Sequence, residues 1–202
     1  MACISGWTAQ ALAVGLDSNA HILWTDPADG LISLWTVDAL GNFGHHEYGP
    51  IPGWTATGLS VGPDGMTHVL WRDATGTACT WRVDANGNWT YALYGPWPGW
   101  SPTAMSEGPD NTLRLLWNHP ADGLTSLEQV TSGGGVSYQQ YGPFGGWGVL
   151  GVAVGSDSQA RILWDRPADG LVFLKGITSG GAVSYQQFGP FGGWTAVSVA
   201  AP

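Results

Sequence analysis

Residues 6–52 read GWTAQALAVGLDSNAHILWTDPADGLISLWTVDALGNFGHHEYGPIP, and this 47-residue unit decides the fold because the chain repeats it. The unit starts again at Gly53, Gly99 and Gly146, and the opening stretch of a fifth copy begins at Gly193. Repetition at a period in the forties is the signature of a repeat architecture. A feature that all copies share is therefore expected to serve packing, a repeated binding site, or both.

Each copy is divided into short segments by Gly, Pro, Asp, Asn and Ser, which cluster every eight to twelve residues. In the first copy this pattern predicts strands near 9–14, 21–25, 31–37 and 43–48. The first two strands are almost wholly apolar, which predicts burial on both of their faces. The fourth strand is more polar, as an exposed outer strand is. The sequence is therefore predicted to be all-β.

Four antiparallel strands per copy, with an apolar inner pair and a polar outer strand, predict one blade of a β-propeller. The chain is expected to form a small propeller of four four-stranded blades in a single repeat domain, 1–202. An extra strand is expected at 193–200, where it could cap the ring, replace the first strand or pair with another chain. The expected blades span 6–52, 53–98, 99–145 and 146–192.

Composition and charge narrow the classes of partner. Aromatic residues make up 12% of the chain and charged residues only 10%, a composition that is incompatible with disorder. The net charge of −9, with six Lys and Arg residues, argues against nucleic acid and against an anionic membrane surface. No apolar run approaches the roughly 18 residues that would cross a bilayer. The partner is therefore expected to be neutral, with no membrane insertion.

The start of the chain, MACISGWTAQ, has neither a basic region nor an apolar region of a signal peptide. The location is left open between the cytoplasm and export without a conventional signal. Cys3 and Cys79 have no counterparts in the other copies and are expected to be two unrelated thiols. The chain is expected to be a monomer or a small homo-oligomer.

A neutral pyranose presents an apolar C–H face and a rim of hydroxyls. Its site therefore combines aromatic rings with Asp, Asn, Gln, His or Arg side chains, and every copy supplies that mixture. Tryptophans shared by all copies are expected to pack in the core or between blades. Tryptophans that some copies lack are candidates for exposed stacking surfaces, namely Trp35, Trp81, Trp89 and Trp97.

Polar candidates fall into three groups. Mid-strand His and Arg residues beside aromatic rings either pack over an indole or contact a ligand. Glutamines on the outer strand either solvate it or touch a ligand. The aspartates of the Pro-Ala-Asp-Gly segments are expected mainly to form turns. These candidates are His21, His68, Arg114 and Arg161, then Gln140 and Gln187, then Asp29, Asp122 and Asp169.

The repeat, which opens with Gly-Trp and returns as a final Gly-Gly-Trp segment, resembles the five-bladed tachylectin-2-type propeller lectins. That resemblance implies binding of N-acetylated hexosamines at one site per blade. Arg114, Glu128 and neighbouring tryptophans are also similar to the Arg, Glu and Trp of fucose-binding propeller lectins of bacteria and fungi. Copies one and two have His21 and His68 at the cation position, and copy four has Lys175 where Glu128 stands. The resemblance therefore extends to the architecture and not to a shared site.

The sequence predicts a non-enzymatic lectin that gains avidity from several weak sites for neutral glycans. A protein-interaction scaffold is the first alternative, and a glycoside-processing enzyme is the second. No spacing indicates a pair of catalytic carboxylates, and no nucleophile, phosphate-binding or zinc motif is present. In the segment 45–47, His45 and Glu47 would share one strand face without a third ligand, so neither a metal nor a cofactor is expected.

Overall fold

The computed structural model describes residues 5–201, which form sixteen β-strands. The strands make four antiparallel sheets, each built from four consecutive strands. The prediction of an all-β propeller with four four-stranded blades is confirmed. None of the described residues belongs to a helix that is long and apolar enough to cross a bilayer. Cys3 lies outside the described residues, and Cys79 is a buried free thiol.

The fold separates into two compact units, one ending at Pro96 and the other beginning at Trp97. The first unit holds blades 1 and 2. Blade 1 comprises β1 (Thr8–Val14), β2 (Ala20–Asp26), β3 (Leu31–Val37) and β4 (Phe43–Tyr48). Blade 2 comprises β5 (Trp54–Val61), β6 (Thr67–Asp73), β7 (Ala78–Val83) and β8 (Trp89–Tyr94).

The second unit holds blades 3 and 4. Blade 3 comprises β9 (Ser101–Glu107), β10 (Thr112–His119), β11 (Leu124–Thr131) and β12 (Val136–Tyr141). Blade 4 comprises β13 (Gly148–Val154), β14 (Ala160–Arg166), β15 (Leu171–Ile177) and β16 (Val183–Phe188). Every predicted strand of the first copy is thus found within two residues of its expected bounds, and the other copies repeat it.

The first strand of each blade carries a one-residue bulge in its pairing with the second strand. In blade 1, Ala9 pairs with Trp24 while Ala11 already pairs with Leu23. A bulge bends its strand and increases the local twist, so all four inner strands bend at the same point of the repeat. The residues skipped by the register are Gln10, Thr57, Thr103 and Leu150.

In the first unit, the core forms where β1 packs against β5. Leu23, Val69 and Trp71 are buried there, and the small side chains of Ala11 and Ala13 pack against them. The prediction that the first strand is buried on both faces is wrong for β1. Its Leu12 and Val14 point away from that core and remain 64% and 65% exposed, because side chains alternate between the faces of a strand.

In the second unit, an apolar core lies between blades 3 and 4. Leu116, Leu127, Ile162 and Trp164 form its centre, each essentially inaccessible to solvent. Polar atoms at this junction are paired across the blades, since Trp164 Nε1 donates to Thr125 Oγ1 over 3.2 Å. Tryptophan therefore fills the space between these blades and also ties them together, as buried indoles with a partner do.

The outer strands are largely exposed, as their polar sequences predict. After β16 the chain turns, with Trp194 N donating to Phe191 O over 3.1 Å, and continues to Ala201. This terminal segment lies beside β13, where Val199 Cγ1 would be 3.6 Å from a Cβ placed on Gly151. It does not take part in the hydrogen-bonded ladders of the four sheets.

Candidate functional site

A tight turn places two tryptophans at one edge of blade 3. Trp97, Pro98, Gly99 and Trp100 form a β-turn in which Trp100 N donates to Trp97 O over 3.0 Å. Proline fits the second position of such a turn, and a positive φ is needed at the third, where Gly99 has φ +80°. A side chain on Gly99 would also collide with the His119 ring. The sequence Trp-Pro-Gly-Trp therefore fixes both indoles at the same place.

The strands of blade 3 present polar side chains beside these indoles. Trp117 on β10 pairs with Ser126 on β11, which pairs with Gln140 on β12. Two residues further along β11, Glu128 pairs with Tyr138 on β12. Residues that pair across antiparallel strands point to the same face, as do residues two apart on one strand. All five side chains therefore share one face of the sheet.

The turn and this face enclose a cavity of about 450 Å³, called here the blade-3 pocket. Pockets that bind small molecules lie in a range of roughly 300 to 1,000 Å³ and combine apolar walls with a few polar groups. The blade-3 pocket has that composition, with four aromatic rings, a hydroxyl, an amide and a carboxyl. Its lining residues are Trp97, Trp100, Trp117, Ser126, Glu128, Tyr138 and Gln140.

Glu128 is the charged residue of the pocket. Its side chain is only 7% exposed, and its Oε2 accepts a hydrogen bond from Trp117 Nε1 over 2.9 Å. Burial raises the pKa of this carboxyl above its ordinary value, and the bond from Trp117 opposes that rise. The lining contains no Lys, Arg or His. The pocket therefore holds a buried acid without a cationic partner in its own wall.

Equivalent positions explain why the pocket is open in blade 3. The position of Glu128 is held by Trp35 in blade 1, Trp81 in blade 2 and Lys175 in blade 4; these four are called the variable column. In blade 1, Trp35 fills the space by stacking on Phe43 at 4.8 Å and donating to Ser33 Oγ. Replacing an indole by a carboxyl leaves room, so this difference between copies contributes to the cavity of blade 3.

In blade 2 an indole occupies the same position as in blade 1. Trp81 stacks on Trp89 with 4.3 Å between ring centroids and packs against Trp71 and Tyr48. Trp81 is therefore buried, which differs from the expectation of an exposed stacking surface. Trp89 covers it and keeps 45% of its own surface exposed.

Blade 4 has a smaller cavity of about 180 Å³, lined by Gln187 and by aromatic rings. Phe173 occupies the position of Ser126 and contacts Trp164 with ring centroids 5.6 Å apart. Lys175 places its ammonium 3.6 Å from the centre of the Tyr141 ring. The Phe173 ring thus takes up part of the space that is open in blade 3, while the Lys175 ammonium packs on Tyr141 of blade 3.

Two of the predicted site residues line the blade-3 pocket, Trp97 and Gln140. Gln187 lines the smaller cavity of blade 4. Trp35 and Trp81 fill the corresponding space of blades 1 and 2, and Trp89 covers Trp81.

The mid-strand His and Arg residues lie outside the pocket. His21 is buried, with its Nδ1 2.9 Å from Thr67 Oγ1 of the next blade, and burial lowers its pKa although nearby Asp17 opposes that shift. His68 is equally buried. Arg114 is 2% exposed and makes two hydrogen bonds to Asp110, and Arg161 makes the same pair to Asp157. These side chains hold turns and blade junctions together.

Arg114 and Glu128 do not form a joint site. Glu128 pairs with Leu115, so Arg114 on the adjacent position points to the opposite face of the sheet. The similarity to the Arg, Glu and Trp of fucose-binding lectins therefore does not extend to this geometry within blade 3.

The aspartates are turn residues. Arg166 Nε donates a hydrogen bond to Asp169 Oδ1 over 2.7 Å, and Asp122 Oδ2 lies 3.4 Å from His119 Nδ1. Neither these residues nor Asp29 lines a described cavity. In the segment 45–47, His45 lies 4.0 Å from Glu47, and among residues 5–201 no three His, Cys, Asp or Glu side chains are placed to hold a metal ion.

Five lining residues were missing from the predicted site, namely Trp100, Trp117, Ser126, Glu128 and Tyr138. Trp100 and Trp117 belong to columns shared by all copies, which favoured packing. The signal that could have found the site is the variable column, where one carboxyl replaces the tryptophan of the first two copies.

Comparison with known proteins gives the fold but no family. No protein-family model matches the chain, and no curated protein matches it. Among solved structures, the SapL1 lectin in complex with α-methyl fucoside matches with a TM-score of 0.59 at 16% identity, over 95% of this chain and 68% of that one. A mutant of AofleA from Arthrobotrys oligospora matches with a TM-score of 0.61 at 14% identity, over 91% and 58%.

The periplasmic gluconolactonase PpgL of Pseudomonas aeruginosa also matches, with a TM-score of 0.55 at 11% identity, over 89% of this chain and 72% of that one. The chain thus spans 58% to 72% of the length of these three proteins. The matches include a lectin and a gluconolactonase, so they establish the fold and leave the function to the site.

Proposed function

We propose that this protein binds carbohydrate without catalysis and that the blade-3 pocket is its sugar site. The observation that carries the proposal is the combination of four aromatic rings with Ser126, Glu128 and Gln140 around one cavity. A pyranose can stack its C–H face on an indole and satisfy its hydroxyls with the serine, amide and carboxyl groups. The propeller fold shared with the SapL1 lectin supports this proposal.

The same composition favours binding over glycoside hydrolysis. Glycosidases generally use two carboxyl groups on either side of the scissile bond. The lining residues include one carboxyl, Glu128, and it is already bonded to Trp117. A glycoside-processing activity, the second alternative, predicts turnover of a glycan that is lost when Glu128 is replaced.

Substitution of Trp97 tests the sugar site. Trp97 is 50% exposed and lines the pocket, so Trp97→Ala should weaken sugar binding by roughly tenfold or more while leaving the sheet intact. Binding can be followed by tryptophan fluorescence during titration with a panel of methyl glycosides, guided by a glycan array.

Trp89→Ala is the matched control, because Trp89 is similarly exposed (45%) but lies on blade 2 outside the pocket. It should leave sugar affinity unchanged. Equal loss from both variants, or no glycan bound by the native protein, would contradict the proposal. Capture of a protein partner that persists after glycan removal would favour the scaffold instead.

A further inference from the structure

Taking the sugar site as proposed, we infer that its preferred ligand is a saccharide with a free amino group, a hexosamine in its ammonium form. The inference starts from Glu128. A buried ionised carboxylate is costly unless a partner compensates its charge. Glu128 receives one hydrogen bond, from Trp117, and no other within blades 3 and 4. Since the wall offers no Lys, Arg or His, the compensating cation is expected from the ligand.

The aromatic walls suit the same cation. An ammonium group near an indole or phenol ring is attracted by the negative face of the ring, more strongly when water is excluded. Trp97, Trp100, Trp117 and Tyr138 line the pocket together with Glu128. A hexosamine could therefore place its ammonium beside the carboxyl and its apolar face against an indole at the same time.

A cation–π contact of this kind already exists within the protein, between a lysine of blade 4 and a tyrosine of blade 3. At the variable column of blade 4, Lys175 supplies an ammonium that lies 3.6 Å from the centre of the Tyr141 ring. Blade 3 has a carboxyl at that position and an open cavity in front of it. Blade 4 thus has a cation at the variable column, whereas blade 3 has a carboxyl group that faces an open cavity.

The charge of the ligand also determines the expected order of affinities for the pocket. A neutral glucoside can use the rings and hydrogen bonds but leaves Glu128 uncompensated. An N-acetylglucosaminide has lost the ammonium through acylation, and a glucuronide would bring a second carboxylate against Glu128, a repulsive pairing. The expected order of affinity is glucosaminide first, the two neutral sugars next and glucuronide last.

The test is calorimetric titration near pH 7 with the methyl β-glycosides of glucosamine, glucose and N-acetylglucosamine. The native protein should bind the glucosaminide roughly tenfold or more tightly than either neutral sugar, the scale of one hydrogen-bonded charge in a desolvated site. Glu128→Gln should abolish this preference, so that the affinity for the glucosaminide falls to that of the two neutral sugars measured on the same variant. The amide oxygen of the introduced side chain can still accept the hydrogen bond from Trp117, and near-ultraviolet circular dichroism checks that the fold is kept.

The outcomes separate the two proposals. Equal affinity for charged and neutral glycosides, or a preference that survives Glu128→Gln, would overturn the amino-sugar inference while leaving the sugar site standing. Absence of binding by every glycoside would overturn both. Tetramethylammonium binding as tightly as the glucosaminide, and competing with it, would assign the pocket to ammonium groups in general and overturn the saccharide part.

Discussion

At the scale of single residues, Glu128 is where this chain departs most clearly from its own repeat. The carboxyl is buried beside Trp117 and opens a cavity that tryptophan fills in the first two blades. Its pKa is raised by burial, with the hydrogen bond from Trp117 acting against that rise. A group whose pKa is higher in the folded than in the unfolded chain makes folding depend on pH.

Glu128 should therefore lower stability as pH rises. Below the unfolded pKa of about 4.3 the carboxyl is protonated in both states, and its contribution is fully present. As pH rises through the raised folded value, the folded state is the one penalised for ionising, so that contribution is lost. Urea unfolding at a series of pH values should show this decline in the native protein relative to Glu128→Gln. Parallel curves for the two proteins would refute it.

At the scale of elements, the turn between the first two strands of a blade is held by an aspartate. Asp17, Asp64, Asp110 and Asp157 each accept a hydrogen bond from the backbone N–H two residues later, as their sequences predict. In the second unit the same aspartates also bind Arg114 and Arg161 through two hydrogen bonds each. The two pairs differ in burial, because Arg114 is almost inaccessible whereas Arg161 is partly exposed.

Burial should decide how much each pair stabilises the fold. Asp110→Asn leaves the buried Arg114 guanidinium without its carboxylate and should lower the free energy of unfolding by about 2 kcal/mol. Asp157→Asn is the matched control on a pair open to solvent and should cost clearly less. Both variants keep an oxygen for the turn hydrogen bond. Chemical denaturation of the two proteins measures the difference, and equal losses would show that burial of the arginine is irrelevant.

The pKa of Asp157 is shifted in the opposite direction to that of Glu128, so its contribution to stability changes with pH in the opposite sense. Hydrogen bonds from Arg161 and from the backbone of Gln159 lower the pKa of Asp157 to about 2. Its contribution is present above the unfolded pKa of about 3.9 and is lost as pH falls from there through the folded pKa of about 2. The decline assigned to Glu128 therefore lies at higher pH than any loss from this turn.

The sequence could predict the elements because both signals for them are local. Turn residues and apolar runs repeat in all copies, so four strands per blade follow from residues 6–52 alone. The site depends on register across strands, which brings Glu128 beside Tyr138 and Trp117 beside Ser126. Trp97 was identifiable because other copies lack it. The burial of Arg114 was not identifiable, because the alternation of residues along its strand does not indicate which face packs against the neighbouring blade.

At the scale of the whole molecule, the four copies share one strand order but differ in the residues at the position of the blade-3 pocket. At the equivalent position, Trp35 packs in blade 1 and Trp81 packs in blade 2. In blade 4, Phe173 leaves a smaller cavity. Repetition of the sequence predicts multivalence. Under the proposed function, these contacts favour one sugar site per chain, with avidity left to any association between chains.

Titration with the sugar that binds can count the proposed sites directly. Isothermal titration should give a stoichiometry near one per chain, and Glu128→Trp, which restores the residue of blades 1 and 2, should bring it to zero. Sedimentation in the same buffer establishes the number of chains per particle. A stoichiometry near four in a monomer would show that the filled positions of the other blades also bind.

The variable column has a consequence for how such a protein can change over generations. A gene already copied in tandem holds spare versions of every position, and here one position per copy decides whether an indole, an acid or an amine faces the cavity. All four sheets keep the same strand order although the residue at that position differs. Substitutions that change ligand specificity can therefore accumulate in one copy while the other three copies maintain the fold.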